Sequence, residues 1–241
     1  MRTISVRYIS VGMTGTFKPC FFARVQIIEG KVMKTYEFGN AGSNIVLIQP
    51  VDDHDLEGIE NEFEAISSSC GMSVRLTAVR INNWNNDLSP WEAPAVFGKD
   101  NFGGDASKTL SELVKLCDDK DKRYFIGGYS LAGLFALWAA YQTDIFEGVA
   151  AASPSMWFPG FDDYMKKNEI KTDTVYLSLG DKEDKARNPV MATVGNRIRE
   201  AQSLLKERDV NCILEWNKGN HFKDADIRTA KAFAWVLNTK I

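Results

Sequence analysis

The sequence predicts an α/β fold in which a mostly parallel central sheet carries helices on both faces. From residue 44 onward, short apolar segments alternate with segments that have helical spacing of apolar residues. The run "NIVLIQP" is continuously apolar, as expected of a strand covered on both faces. No internal repeat and no Ser/Gly/Pro-rich linker interrupts the chain. We therefore expect the 241 residues to form one domain, residues 1–241.

The N-terminal third predicts antiparallel edge strands. The segments "TISVRYIS", "FFARVQII" and "KTYEF" are short, and the first alternates apolar with polar residues. After "NIVLIQP", the segment "LEGIENEFEAISSS" has helical spacing, and "SVRLTAVRI" predicts another strand. Residues 82–105 show no period and are rich in Asn, Pro, Gly and aromatic residues, which indicates one long functional loop.

The second half continues the alternation. Helices are predicted at "ASKTLSELVKLC", "LAGLFALWAAYQ", "PVMATVGNRIREAQSLLKER" and "DADIRTAKAFAWVLN". Strands are predicted at "RYFIGG", "FEGVAAAS", "DTVYLSLG" and "NCILEWN". In such a sheet, functional residues gather beyond the carboxyl ends of the strands, so the turns that follow these strands are where a site is expected.

Composition excludes several classes of function. The formal net charge of −3 leaves no basic surplus for nucleic acid or an anionic membrane. Four cysteines without a C-x-x-C spacing and only two histidines predict reduced thiols, no metal site and no cofactor. No run of about 18 apolar residues and no apolar segment of signal-peptide type occurs, so we expect a cytoplasmic protein. The oligomeric state stays open.

The segment "GGYSLA" is the strongest chemical signal. It matches the nucleophile-elbow pattern G-x-S-x-G, with Ala132 in the last position, and it stands between a predicted strand and a predicted helix. A sharp strand-to-helix turn brings residues two before and two after Ser130 together, so only small residues such as Gly128 and Ala132 fit. Gly127 and Gly133 would ease the packing. A phosphate-binding loop is the competing interpretation, but neither the P-loop lysine nor the G-x-G-x-x-G spacing is present.

The elbow predicts an oxyanion site beside the hydroxyl of Ser130. The backbone N–H of Leu131 lies at the start of the following helix, where negative charge is favoured. A second donor is expected after "NIVLIQP". Pro50 has no N–H, which leaves Val51 or Asp52, and we favour Val51.

A serine nucleophile needs a base and an acid, in the chain order Ser, Asp or Glu, His for this elbow. His221, in "EWNKGNHF", is the histidine that follows Ser130; His54 is a rival that we interpret as a solvated loop residue or a substrate contact. The acid is expected about three residues beyond the glycine that ends the strand "DTVYLSLG". That glycine is Gly180, so the expected position favours Glu183. Asp184 is the near alternative and Asp181 a weaker one; a Ser-His dyad also stays open.

With these residues in place, the chain resembles the esterase branch of the α/β-hydrolases, which includes the enterobactin-type siderophore esterases and the esterase D-like enzymes. The matching segments are "NNWNNDLSPWEAP", "GGYSLAGLFALW", "AAASPSMWFPGF", "YLSLGDKEDKARNPVM" and "LEWNKGNHF". The resemblance implies an α/β-hydrolase fold without a separate lid domain. It also implies that Ser130 is the nucleophile, that His221 is the base and, less directly, that Glu183 is the acid.

These expectations describe a serine hydrolase that cleaves carboxylic esters through an acyl-enzyme. Trp84, Trp91 and Trp157, with Phe97, would line the pocket for a small-molecule ester, although each could equally pack the long loop against the body. The competing functions are a thioesterase or acyltransferase that uses the same residues, and a binding module that keeps the fold without turnover.

Overall fold

A nine-stranded sheet forms the centre of the computed structural model, which describes residues 2–8, 21–28 and 31–241, with side chains from residue 34 onward. Cys20 and the end of the segment "TISVRYIS" lie outside these residues. The strands of the sheet are β1 Arg2–Tyr8, β2 Phe21–Ile28, β3 Lys31–Gly39, β4 Ile45–Val51, β5 Arg75–Arg80, β8 Arg123–Tyr129, β9 Phe146–Ala152, β10 Thr174–Gly180 and β11 Asn211–Asn217. A separate ribbon pairs β6 Glu92–Ala93 with β7 Phe102–Gly103.

The strand order is β1-β2-β3-β5-β4-β8-β9-β10-β11. The pairs β1–β2, β2–β3 and β3–β5 are antiparallel, whereas β5, β4, β8, β9, β10 and β11 run parallel to one another. The predicted fold class is confirmed: a mostly parallel sheet with antiparallel N-terminal strands at one edge.

Helices cover both faces of this sheet. The helices are α1 Asp53–Cys70, α2 Trp84–Asp87, α3 Ala106–Val114, α4 Ser130–Gln142, α5 Phe161–Lys167, α6 Val194–Glu207 and α7 Ala225–Lys240. The apolar faces of α1 and α7 pack with residues such as Leu47 and Phe125 on one side. The apolar faces of α3, α4, α5 and α6 pack with residues such as Ile126 and Leu177 on the other. Because α4 lies under the other elements of its layer, eleven of its residues are buried.

The loop predicted at residues 82–105 contains short regular elements that the aperiodic sequence does not indicate: α2, β6 and β7 lie within it. Helix α5 was likewise not predicted, and the predicted helix at residues 189–208 is divided into a 3-10 turn at Met191–Thr193 and α6. Helix α5, the 3-10 turn and the elements within the loop are too short to give a helical or strand period. Among the described residues, no helix has both the length and the apolar composition that a membrane span requires.

Candidate active site

The turn between β8 and α4 has the crowded geometry that the sequence predicts. Ser130 has a φ of 56°, a left-handed conformation that a residue with a side chain rarely adopts. A Cβ placed on Gly128 would lie 2.7 Å from the Cβ of Ala132, and one placed on Gly127 would lie 2.6 Å from the ring of Phe233. Small residues at these positions allow the turn, and the turn places the Ser130 hydroxyl at the carboxyl edge of the sheet.

His221 and Ser130 are hydrogen-bonded across 91 positions of the chain. His221 lies four residues beyond the end of β11, and its Nε2 is 2.9 Å from Ser130 Oγ. Its Nδ1 lies 2.7 Å from Glu183 Oε2. A carboxylate only accepts hydrogen bonds, so Nδ1 carries the proton and Nε2 is left to accept from the serine hydroxyl.

Glu183 lies in a 3-10 turn three residues beyond β10, with a side chain that is 4% exposed. Its Oε1 accepts from the N–H of Gly180 at 2.7 Å, from Ser153 Oγ at 2.9 Å and from Arg228 Nη1 at 3.0 Å. Three donors therefore fix one carboxylate oxygen, and the other oxygen faces His221.

The alternative acids and the rival histidine have other surroundings. Asp181 accepts from the N–H of Gly219 at 2.8 Å and so connects the turn after β10 with the turn after β11. Asp184 packs against Gly195 of α6. His54 lies in the first turn of α1, is 86% exposed in its side chain and is 3.6 Å from Glu57, which fits the solvated interpretation.

The two predicted oxyanion donors differ in orientation. Leu131 is in the first turn of α4, where backbone N–H groups have no partner within the helix. Val51 still belongs to β4 and pairs with Arg80; its carbonyl accepts from the N–H of Ile81 at 2.9 Å. The N–H and C=O of one strand residue lie on the same side, so the Val51 N–H faces β5.

Ser130 follows β8, which lies on the opposite side of β4 from β5. The expected orientation of the Val51 N–H toward Ser130 is therefore absent, because β4 continues its pairing with β5 through residue 51. The N–H of Asp52, the other choice, donates to Asp55 Oδ2 at 3.1 Å as part of a capping box at the start of α1.

The three predicted pocket tryptophans lie in the aromatic layer that packs α2, the β6–β7 ribbon and α5 on the sheet. Trp91 donates from Nε1 to the carbonyl of Pro159 at 3.0 Å and stacks near Phe161 of α5. Trp157 is buried, and its ring centroid is 5.7 Å from that of Phe97, which is 44% exposed. Trp84 is partly buried against the same core. Trp91 and Trp157 are thus used in packing, whereas Phe97, which contacts Trp157, is the exposed ring of the layer.

Four side chains that contact the site were not predicted from the sequence: Tyr129, Ser153, Ser155 and Arg228. Ser155, which follows β9, is 1% exposed; its Oγ lies 3.3 Å from Ser130 Oγ, and its N–H donates to the Ser130 carbonyl at 3.0 Å. A serine just beyond a parallel strand next to β8 was the available signal. Arg228, on α7, contacts Glu183, and nothing in its helical segment distinguishes it from a surface arginine.

Tyr129 connects the turn that carries Ser130 with the turn that carries His221. Its hydroxyl donates to the His221 carbonyl at 2.9 Å and accepts from Arg228 Nη1 at 3.0 Å. Burial, followed by the nearby Glu183 carboxylate, raises the pKa of Tyr129 to about 12, so the phenol stays protonated and available as a donor. In the described part of the chain, no group of three or more His, Cys, Asp or Glu side chains could hold a metal ion.

Comparisons with known proteins find similar structures among those already solved. No family model and no curated protein sequence matches the chain. Among solved structures, siderophore hydrolase EstA from Aspergillus nidulans is similar at a TM-score of 0.63 and 17% identity, over 99% of this chain and 95% of that one. An IroE-like serine hydrolase from Shewanella oneidensis is similar at a TM-score of 0.66 and 13% identity, over 97% and 79%.

A cold-adapted esterase from an Arctic intertidal metagenomic library is also similar, at a TM-score of 0.62 and 12% identity, over 92% of this chain and 94% of that one. These likenesses extend over nearly the whole chain and confirm the α/β-hydrolase fold predicted from the sequence.

Proposed function

From its α/β-hydrolase fold and the arrangement at the edge of its sheet, we propose that the chain is a serine hydrolase that cleaves carboxylic esters of small molecules through an acyl-enzyme. The observation that carries the proposal is the continuous hydrogen-bonded series from Ser130 through His221 to Glu183, at 2.9 and 2.7 Å. The names of its structural neighbours, which include an esterase and a serine hydrolase, support the same class of reaction.

In the proposed mechanism Ser130 Oγ attacks the ester carbonyl while His221 Nε2 takes the serine proton. Glu183 holds the imidazole with its proton on Nδ1 and stabilises the imidazolium that forms. The imidazolium then protonates the leaving alcohol, and the ester bond to that alcohol breaks. A water molecule, deprotonated by His221, releases the acid and restores Ser130.

The negative charge that develops on the carbonyl oxygen needs a donor. The N–H of Leu131, at the N-terminus of α4, is the donor that we propose. A contribution from Val51 requires its N–H to turn from β5 toward the substrate. The exposed ring of Phe97, with Trp157 packed against it, is proposed to contact the acyl group or the alcohol.

The test is reaction with a fluorophosphonate probe together with hydrolysis of p-nitrophenyl acetate. We expect the purified protein to be labelled at Ser130 and to release p-nitrophenol. We expect Ser130→Ala to lose both activities, whereas Ser111→Ala, in an exposed hydroxyl on α3, keeps them. A wild-type protein that resists the probe and cleaves no short-chain ester contradicts the proposed reaction, and with it the choice of an enzyme over a binding module.

A further inference from the structure

Arg228 is a buried cation that reaches the site from the first turn of α7. Its side chain is only 2% exposed, and it is among the largest fully buried side chains of the described residues. Burying a guanidinium is unfavourable unless its charge is paired with an opposite charge and its N–H groups are hydrogen-bonded. A buried arginine at this position therefore needs an explanation in terms of the groups that it contacts.

The guanidinium contacts four separate segments of the site. Nη1 lies 3.0 Å from Glu183 Oε1 in the turn after β10 and 3.0 Å from the hydroxyl of Tyr129, the residue before Ser130. Nη2 lies 3.4 Å from the carbonyl of Lys218 in the turn after β11. Ser153 Oγ, in the turn after β9, is 3.4 Å from Nη1. One side chain thus connects the turns that carry the nucleophile, the acid and the base.

We propose that Arg228 is a positioning residue that fixes these turns relative to one another and balances the charge of Glu183. The inference rests on the proposed serine-hydrolase function. The position is set through Tyr129, whose hydroxyl bonds Arg228 on one side and the backbone of His221 on the other. The charge is balanced through the ion pair with Oε1 of the same carboxylate whose Oε2 faces His221.

The ion pair between Arg228 and Glu183 is expected to shift the pH dependence of the reaction in one direction. An unpaired Glu183 carboxylate would stabilise the imidazolium form of His221, which cannot accept the serine proton. A cation 3.0 Å from the carboxylate offsets part of this negative charge. Removing the cation should therefore move the acid limb of the pH–rate profile to higher pH.

Other charged groups around the pair do not substitute for Arg228. On the histidine turn, Lys223 lies 3.8 Å from Asp224, which neutralises it locally. Tyr129 is neutral because burial holds its pKa at about 12. The remaining neighbours, on the turn after β10, are carboxylates or solvent-facing cations: Asp181, Lys182, Asp184 and Lys185. Both carboxylates would add to the effect of losing the buried cation.

The test compares kcat and the pH dependence of kcat/KM for a p-nitrophenyl ester in four variants. Arg228→Met should move the acid limb upward by about one pH unit and lower the plateau. Tyr129→Phe, which removes the connecting hydroxyl without changing charge, should lower kcat about fivefold and leave the limb in place. Arg208→Met is the matched control: Arg208 also bonds backbone carbonyls, of Met165, Lys166 and Asn168, but does so at the far end of the sheet.

Arg228→Lys separates the two roles and serves if the methionine variant does not fold. A lysine keeps the charge but cannot contact the four segments at once, so we expect a lowered kcat with the acid limb within about 0.3 pH units of the wild type. An Arg228→Met profile whose acid limb coincides with the wild type, or an Arg228→Lys variant with wild-type kcat, would overturn the inference. A wild-type protein without ester hydrolysis would instead contradict the proposed function itself.

Discussion

Ser130 and Ser155 form a pair of hydroxyls of which Ser130 is the one hydrogen-bonded to His221. Ser130 is held at a φ of 56°, a conformation that costs roughly 1–3 kcal/mol and persists only where the surroundings fix it. The hydrogen bond from the Ser155 N–H to the Ser130 carbonyl is part of that fixation. Since the Ser130 hydroxyl donates to His221, the Ser155 hydroxyl is the donor in the contact between the two oxygens.

Ser155→Ala tests whether this second hydroxyl orients the nucleophile. We expect kcat/KM for a p-nitrophenyl ester to fall about fivefold, because a neutral hydrogen bond contributes about 1 kcal/mol. Ser111→Ala is the control for removing a hydroxyl elsewhere. A Ser155→Ala variant with unchanged kcat/KM and unchanged probe reactivity would show that the contact has no part in orienting Ser130.

At the scale of elements, the turn from β8 to α4 shows why an elbow needs small residues on both sides. A Cβ on Gly128 would lie 2.7 Å from the Cβ of Ala132 and 3.1 Å from its carbonyl carbon. The two positions are therefore coupled: each can carry a Cβ only if the other does not.

A double-mutant cycle measures this coupling by urea unfolding. Gly128→Ala should lower the free energy of unfolding by about 2 kcal/mol through overpacking. Ala132→Gly should lower it by about 1 kcal/mol through helix propensity. The double variant should be more stable than the sum of the two losses predicts. Strict additivity would contradict the crowding, and Gly42→Ala, where an added Cβ would meet its nearest atom at 3.4 Å, is the control.

The helices and strands that the sequence predicted are long enough to show a pattern of apolar residues. Helices α1, α3, α4, α6 and α7 and all nine strands of the main sheet were anticipated from the spacing or the continuity of their apolar residues. Helices α2 and α5 and the β6–β7 ribbon were not. They depend on distant contacts, such as the stacking of Trp91 on Phe161 and the bond from Asn188 Nδ2 to the carbonyl of Val96.

The residues of the candidate site also fall into a group that the sequence predicted and a group that it did not. Ser130, Glu183 and His221 could be found because the elbow fixes a chain order and each residue follows a recognisable strand. Ser155 and Arg228 required the structure, because no motif or chain order links them to the elbow; their contacts with Ser130 and Glu183 join segments 25 and 45 residues apart. The Val51 prediction used the end of a strand as a guide to a backbone direction, but the structure continues the strand pairing through that residue.

For the whole molecule, the stability should vary with pH because a carboxyl at the start of α1 is buried. Burial, followed by the charge of Asp52, raises the pKa of Asp55 from 3.8 to about 6. The folded protein therefore holds this proton more tightly than the unfolded chain. The contribution to stability is largest below pH 4, falls as the pH rises from about 4 to about 6, and is constant above that range.

Asp55→Asn removes this titration and keeps an oxygen that can accept from the Asp52 N–H. Relative to wild type, we expect the variant to gain about 3 kcal/mol in free energy of unfolding at pH 7 and about 0.5 kcal/mol at pH 4. Glu57→Gln, in an exposed side chain of the same helix, is the control. An equal effect of Asp55→Asn at both values would contradict the assignment. A single urea transition in these experiments would also support the prediction of one domain.

Acylation of Ser130 is the central step of the proposed reaction. A crystal structure of the protein after treatment with a p-nitrophenyl phosphonate tests this step most directly. We predict a covalent bond from phosphorus to Ser130 Oγ. We also predict the phosphonyl oxygen within hydrogen-bond distance of the Leu131 N–H, and the imidazole of His221 still bonded to Glu183. Phosphorus attached to another residue, or an unmodified Ser130 after prolonged exposure to the reagent, would contradict it.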